Sequence, residues 1–148
     1  MEYISGMHAL NLECNLETCG DWHTSALNWQ NITIRDSEKS IFGVYGIESD
    51  KYIPEHTEKY YVANHIRALL DLISEEKFGS AQGMRNDFIV TEKYDLEIFE
   101  LIDKLIKHST TDKASKIKEF MCKEYRLDWV NYMEGKYGLE SKAWRSDK

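Results

Sequence analysis

The chain has 148 residues, of which 42% are hydrophobic and 12% aromatic, so it can bury the core of a single domain. This composition excludes a disordered chain, which would contain few aromatic residues and little hydrophobicity. The net charge of −7 comes from 26 acidic and 19 basic residues, and an acidic surface disfavours contact with the phosphates of DNA or RNA.

The first 56 residues are predicted to contribute a small antiparallel sheet. Three strands are expected, within 3–12, at 32–34 and at 41–47. The two glycines of the third segment indicate a bulge or a close backbone contact. Residues 13–30 are predicted to form a polar loop, with or without a short helix, and residues 50–54 a turn.

From about residue 57 the spacing of apolar residues becomes helical. The first helix has a buried stripe at Val62, Ile66, Leu69, Leu70 and Ile73. Arg67 and Asp71 are four residues apart on another face of this helix, where we expect a weak ion pair. The 84–90 segment has no pattern that assigns it to a helix or a strand.

Three further helices are predicted from their capping residues. Thr91 is expected to cap the second helix, and a residue within 110–112 the third. The last helix is predicted to begin at Asp128 and to stop at Gly138.

These elements predict an α+β fold in a single domain, with a small antiparallel N-terminal sheet followed by about four helices. The β-rich part covers 1–56, the helical part 57–138 and a flexible tail 139–148, in which Trp144 could dock on the domain. The absence of alternating βαβ units disfavours a doubly wound nucleotide-binding sheet.

The stretch TCGDWHTS at 18–25 is the densest group of polar and reactive side chains in the sequence. We interpret it as a turn held by side-chain hydrogen bonds, in which Asp21 or Thr18 satisfies backbone donors and Gly20 permits a left-handed backbone. Trp22 is expected to be buried there, and His23 to bond either its indole N–H or Asp21.

A metal site is considered in the same region. The weak candidate ligands are His8, Cys14, Cys19 and His23, whose spacing approaches that of zinc fingers. The sequence supplies no second CxxC or HxxxH pair, so we predict no metal and no cofactor, and interpret the cysteines as small buried hydrophobic residues.

Catalytic residues are harder to identify, because the sequence contains none of the strong enzyme motifs. The candidates for general acid–base chemistry are Asp21, His23, His65 and Asp87. A thiolate of Cys19 activated by His23 is disfavoured, since nucleophile and base usually come from separate parts of a chain. Whether the protein is an enzyme stays open.

A second polar group lies between apolar neighbours at 82–87. Such residues either build a ligand pocket with His65 and the 18–25 stretch or serve as helix caps, and both alternatives stay open. The candidate binding residues are Trp22, Arg67, Gln82, Arg85 and Asn86.

The phrases GMHALN, LETCGDWHTSALNW, YGIE, NHIRALLDL and AQGMRNDFI resemble a group of small uncharacterised bacterial proteins associated with toxin–antitoxin-like or mobile-element gene neighbourhoods. The resemblance covers approximately residues 3–106, and GDWH at 20–23 is its most characteristic part. It implies a bacterial or phage cytosolic protein with an antitoxin or regulatory role, and attaches no catalytic residues.

Charge, cysteine use and the start of the chain predict the compartment and the partner. The start MEYISGMHAL lacks the features of a signal peptide, no apolar run is long enough for a membrane span, and three cysteines suit a reducing cytoplasm. Residues 1–60 carry ten acids and four bases, which would attract a basic protein partner by electrostatic steering. We therefore expect an acidic protein that binds a toxin or defence effector; the alternative is a small enzyme or nucleotide-type ligand binder using Asp21, His23, His65 and Arg85.

Overall fold

The computed structural model describes residues 1–138. The predicted tail 139–148 and the docking of Trp144 lie outside the described residues.

Four strands form one sheet in the order β2-β1-β4-β3. The strands are β1 (Glu2–Ile4), β2 (Ile34–Asp36), β3 (Ile47–Tyr52) and β4 (Lys59–Ala63). The β1–β2 and β3–β4 pairs are antiparallel, but β1 and β4 run parallel, with Ile4 opposite Val62. The sheet is therefore mixed, and the prediction of an antiparallel sheet is wrong at its central pair.

Six α-helices complete the described part of the chain and confirm the α+β class. They are α1 (Gly6–Leu10), α2 (His65–Ser74), α3 (Phe78–Ala81), α4 (Asp95–Lys107), α5 (Thr111–Tyr125) and α6 (Leu127–Tyr137). Short 3₁₀ turns occur at Thr24–Ala26, Ser37–Lys39 and Glu92–Tyr94, and Met84–Ile89 forms a π-helical turn. The two additional helices, α1 and α3, are too short to give a helical period in the sequence.

All three predicted strands and one helix start differ from the structure. The strand predicted at 32–34 is shifted to Ile34–Asp36. The first strand ends at Ile4, and residues 41–46 form a series of turns before β3, which begins at Ile47. β4 lies within the part predicted to be helical, and Val62 points into the core from a strand. Val62 fits the helical stripe only because a buried strand residue and a buried helix residue look alike in sequence.

The predicted helix ends are largely confirmed, because capping is a local interaction. Thr91 accepts a hydrogen bond from Lys93 N in the turn that leads into α4, and Thr110 accepts one from Lys113 N at the start of α5. Gly138 ends α6 as predicted. Asp128 is not the cap of α6, which begins one residue earlier.

Helix α2 lies at the centre of the domain. Its nine residues from His65 to Ile73 are all buried, between the sheet on one side and α4 on the other. Asn64 caps the helix by accepting a hydrogen bond from Arg67 N. A helix buried all round must pair every polar side chain that it carries.

The Arg67–Asp71 pair meets this requirement. The predicted pairing is confirmed, but both side chains are buried in the core. Arg67 is fully buried, and its Nε lies 3.0 Å from Asp71 Oδ1. Its Nη1 donates to the carbonyls of Gly43 and Tyr45, both at 2.7 Å, and its Nη2 donates to Tyr3 Oη at 2.9 Å.

The Asp71 carboxylate completes this buried network. Its Oδ2 accepts hydrogen bonds from Tyr3 Oη and Ser5 Oγ, each at 2.7 Å. Burial, together with the neighbouring Asp71 carboxylate, raises the pKa of Tyr3 above its usual range. The network thus fastens α2 to β1 and to the turns at 43–45.

None of the helices within residues 1–138 combines the length and the apolar character that crossing a membrane requires.

We predict that Arg67→Met lowers the free energy of unfolding by about 3–5 kcal/mol, because it leaves the Asp71 carboxylate buried without its charge partner. Urea denaturation measures the change. Lys123→Ala is the matched control, since Lys123 and Glu119 form an ion pair of the same i,i+4 spacing on the surface of α5. Its effect should stay within about 0.5 kcal/mol. Equal effects of the two substitutions would contradict a structural role for the buried network.

Candidate functional site

A cleft of about 450 Å³ opens between the loop that follows α1 and the N-terminus of α2, and we call it the loop cleft. Its lining residues are Asn11, Leu12, Glu13, Cys14, Leu16, Thr18, Cys19, Asp21, Trp22, Thr24 and His65. The sequence-predicted residues Asp21, Trp22 and His65 are therefore brought together, and the cleft adds Cys14 and Thr18 to them.

The loop is attached to the domain through its backbone. The N–H groups of Cys19 and Gly20 both donate to Phe88 O at 2.9 Å, and Asp21 N donates to Leu10 O at 2.7 Å. These bonds attach the loop to the π-helical turn and to α1. The support comes from the Phe88 carbonyl, next to the polar 82–87 group, and the side chains of that group do not line the loop cleft.

Gly20 is required at this contact. Its φ is +65°, and a Cβ there would lie 2.6 Å from both the His65 ring and Leu10 O. The left-handed conformation and the close approach both favour glycine. The loop consequently packs directly against the His65 imidazole at Gly20.

The Asp–Trp–His corner is held by side-chain hydrogen bonds, but it is exposed. Asp21 Oδ1 accepts from Trp22 N at 2.8 Å and lies 2.5 Å from His23 Nδ1. Trp22 Nε1 donates to Cys19 O at 2.7 Å, yet Trp22 is 81% exposed. The expected burial of Trp22 is wrong, because the turn satisfies the indole N–H without covering the ring.

Among the described residues, His65 is the one histidine that lines the loop cleft, and its side chain is buried. Its Nε2 lies 2.6 Å from Leu12 O, and its Nδ1 lies 2.6 Å from Thr18 Oγ1. A carbonyl oxygen can only accept, so Nε2 carries a proton and Nδ1 faces the Thr18 hydroxyl. Burial opposes protonation of His65, but its interaction with Cys14, its hydrogen bond to Leu12 O and the negative charge of Glu48 outweigh burial and raise the pKa.

Cys14 is half-buried, and its Sγ lies 3.5 Å from Thr18 Oγ1. Burial alone would raise the pKa of the Cys14 thiol. The side chains of His65 and Thr18, and the backbone N–H groups of His65 and Leu16, stabilise the thiolate, which outweighs burial and lowers the pKa to about 7. Cys19 is exposed, so the interpretation of both cysteines as buried hydrophobic residues is wrong.

The remaining sequence-predicted candidates lie outside the cleft. Arg85 contacts its own segment, donating to Val90 O at 2.7 Å and pairing with Glu92 at 3.4 Å. Asn86 and Asp87 are exposed on the same turn. Gln82 lines a separate groove between α3 and α5, and Arg67 belongs to the buried network. The alternative function requires His23, His65 and Arg85 to share one cleft. Of these three residues, only His65 lines the loop cleft.

Metal-ligating side chains do not gather in the part of the chain that the structure describes. Within residues 1–138 no three His, Cys, Asp or Glu side chains form a group that could hold an ion. His8 is engaged with Asn28 O at 3.0 Å and packs edge-on against Trp29. Cys14 and Cys19 line the loop cleft, and His23 bonds Asp21.

A larger groove of about 620 Å³ lies on another face, between the β1–β2 edge and the α4–α5 connection. Its most prominent charged groups neutralise each other, since Arg35 Nε donates to Glu75 at 2.8 Å. The Arg35 guanidinium lowers the pKa of Glu75. The loop cleft is the better candidate because its nucleophilic and titratable groups face one another.

No protein-family model matches the chain, and neither the curated proteins nor the solved structures provide a match.

Sequence reasoning missed the pairing of Cys14 with His65. The two residues come from a loop and from a helix that are far apart in sequence, and only the fold joins them. The available signal was the position of His65 directly after a capping Asn64, which places it at the first turn of a helix.

We predict that Gly20→Ala destabilises the fold by about 2–4 kcal/mol, combining left-handed strain with a clash against His65 and Leu10 O. Gly43→Ala is the matched control, because Gly43 also has a positive φ but its Cβ would meet nothing within 4 Å. Urea denaturation should give a smaller loss for Gly43→Ala, about 1–2 kcal/mol. Equal losses would show that the loop does not press on His65.

Proposed function

We propose that the protein is a non-enzymatic, acidic interaction protein, antitoxin-like or regulatory, that binds an intracellular bacterial toxin or defence effector through the surface around Trp22. The observation that carries the proposal is the 81% exposure of Trp22 on a loop that the backbone holds in place.

The indole of Trp22 suits a binding contact. Tryptophan buries a large area on association and is enriched among the residues that dominate interface energies. Its N–H already bonds Cys19 O, so a partner can cover the ring without supplying an acceptor for the nitrogen. The loop is anchored before binding, which reduces the entropy lost on association.

Charge supports a basic partner. Glu13, Glu17 and Asp21 lie on the same loop as Trp22, and residues 1–60 carry a net charge of −6. Complementary charge raises the association rate and excludes acidic competitors. The resemblance of the GDWH stretch to proteins of toxin–antitoxin-like gene neighbourhoods supports an intracellular toxin or effector as that partner.

The second candidate function is a small enzyme or ligand binder. The observation that favours it is the loop cleft, where Asp21 and His65 line a volume in the range that small ligands occupy. In this candidate function His23 would act while hydrogen-bonded to Asp21. Arg85 is engaged with Glu92, so this candidate now depends on the loop and His65 alone.

We predict that Trp22→Ala weakens partner binding by at least about 2 kcal/mol, roughly thirtyfold in Kd, because it removes the exposed anchor. The partner to test is the product of the adjacent gene, co-expressed and captured through a tag on this chain, with Kd then measured by calorimetry. Leu127→Ala is the matched control, since Leu127 is 71% exposed on α6.

Capture of the partner by wild type and Leu127→Ala, with loss for Trp22→Ala, supports the proposal. Recovery of this chain alone, without any effect on the neighbour's toxicity, would remove it. Unchanged binding by Trp22→Ala would exclude the surface around Trp22 as the interface.

A further inference from the structure

We propose that Cys14 is a nucleophilic modification site, at which His65 takes the thiol proton through Thr18 and neutral, soft carbon electrophiles enter from the loop cleft. The inference does not depend on the proposed function, because it concerns a thiol and small molecules and requires no protein partner.

Three side chains from two elements form the site. Cys14 and Thr18 belong to the loop, and His65 is the first residue of α2. Thr18 Oγ1 lies 2.6 Å from His65 Nδ1 and 3.5 Å from Cys14 Sγ, so the hydroxyl bridges the thiol and the imidazole. Cys14 lines the loop cleft, which gives a small molecule access to the sulfur.

The Thr18 hydroxyl can hydrogen-bond both Cys14 and His65 before and after the thiol proton is transferred. With a neutral His65, the Thr18 hydroxyl donates to Nδ1 and the Cys14 thiol donates to Thr18 Oγ1. When the thiol proton moves to Oγ1 and the hydroxyl proton moves to Nδ1, the products are a thiolate and an imidazolium, with no net change in charge. In that state Nδ1 donates to Oγ1 and the hydroxyl donates to the sulfur.

The start of α2 also favours the thiolate. The backbone N–H of His65, in the first turn of this ten-residue helix, and the N–H of Leu16 both stabilise negative charge on the sulfur. Unpaired N–H groups at a helix N-terminus favour negative charge. Together with His65 and Thr18 they lower the pKa of Cys14 to about 7, where half of the thiol is ionised at neutral pH.

The charged groups around the pair select the electrophile. Glu48 of β3 faces His65 and stabilises its cationic form. Glu13 and Asp21 line the cleft beside Cys14, and Cys19 is the other thiol there. These carboxylates repel an anionic reagent within the screening length of the surrounding salt. Neutral electrophiles are therefore favoured over anionic ones of the same size.

The covalent step is a substitution at carbon. The Cys14 thiolate forms a carbon–sulfur bond, and the leaving group departs with the electron pair of the bond that breaks. With iodoacetamide as the probe, the products are S-carbamidomethyl Cys14 and iodide, and the proton held by His65 passes to solvent. No oxidant or reductant takes part.

The test is alkylation of the full chain by iodoacetamide from about pH 5.5 to about pH 9.5, followed for the Cys14 peptide by mass spectrometry. Folded Cys14 should show half-maximal reactivity near pH 7, about 1.5 units below the same cysteine in urea-unfolded protein. At pH 7 its rate should be about threefold higher than in the unfolded chain, because a lower pKa also reduces the intrinsic nucleophilicity of a thiolate. An identical midpoint in both states, or no labelling of folded Cys14, would overturn the proposal.

Variants of Thr18 separate proton transfer from packing. Thr18→Val keeps the side-chain shape without the hydroxyl and should raise the midpoint by about one pH unit, whereas Thr18→Ser should keep it near the wild-type value. Thr24→Val is the matched control, because Thr24 lines the same cleft without contacting Cys14 or His65 in the described hydrogen bonds, and it should leave the midpoint unchanged. A shift in Thr18→Ser as large as that in Thr18→Val would overturn the role of the hydroxyl.

Reagent charge tests the selectivity. The ratio of the iodoacetamide rate to the iodoacetate rate should be higher for folded Cys14 than for unfolded Cys14. Glu13 precedes Cys14 in both states, but only the folded chain brings Asp21 into the cleft. An equal or lower ratio in the folded protein would overturn the preference for neutral electrophiles.

Discussion

The pairing of Arg67 with Asp71 in the core is the interaction on which the rest of the structure depends. A buried guanidinium loses its hydration and is tolerated only when its donors meet acceptors, and here they meet Asp71, Tyr3 and two backbone carbonyls. These partners come from β1 and from the turns before β3. The network therefore fixes both the depth and the rotation of α2, which apolar packing alone would leave adjustable.

The orientation of α2 determines the candidate site. His65 lies two residues before Arg67, and the cap formed by Asn64 joins the two, since Asn64 Oδ1 accepts from Arg67 N. Once Arg67 is fixed, the His65 ring must face the loop that follows α1. The loop packs against this ring at Gly20, where any residue with a Cβ would clash with the imidazole. A buried ion pair thus places an imidazole beneath a cleft that opens to solvent.

The features that the sequence predicted correctly depend on local interactions. The caps at Thr91 and Thr110 and the stop at Gly138 involve residues a few positions apart, and the α+β class follows from periodicity. The parallel contact of β1 with β4 and the pairing of Cys14 with His65 could not be predicted, because partners distant in sequence make them. The expectation that nucleophile and base come from separate segments agrees with this pairing, although His23 was the base considered.

The loop combines a rigid backbone with reactive and exposed side chains. Its attachment uses the N–H groups of Cys19, Gly20 and Asp21, which every residue except proline supplies. The side chains of Cys14 and Trp22 take no part in these backbone bonds, and the exposed indole of Trp22 adds no buried area to the core. A side chain that stability does not require is open to selection for contact with something outside the domain. This reasoning applies to Trp22 at the cleft rim and to Cys14 within it, and both proposals follow from it.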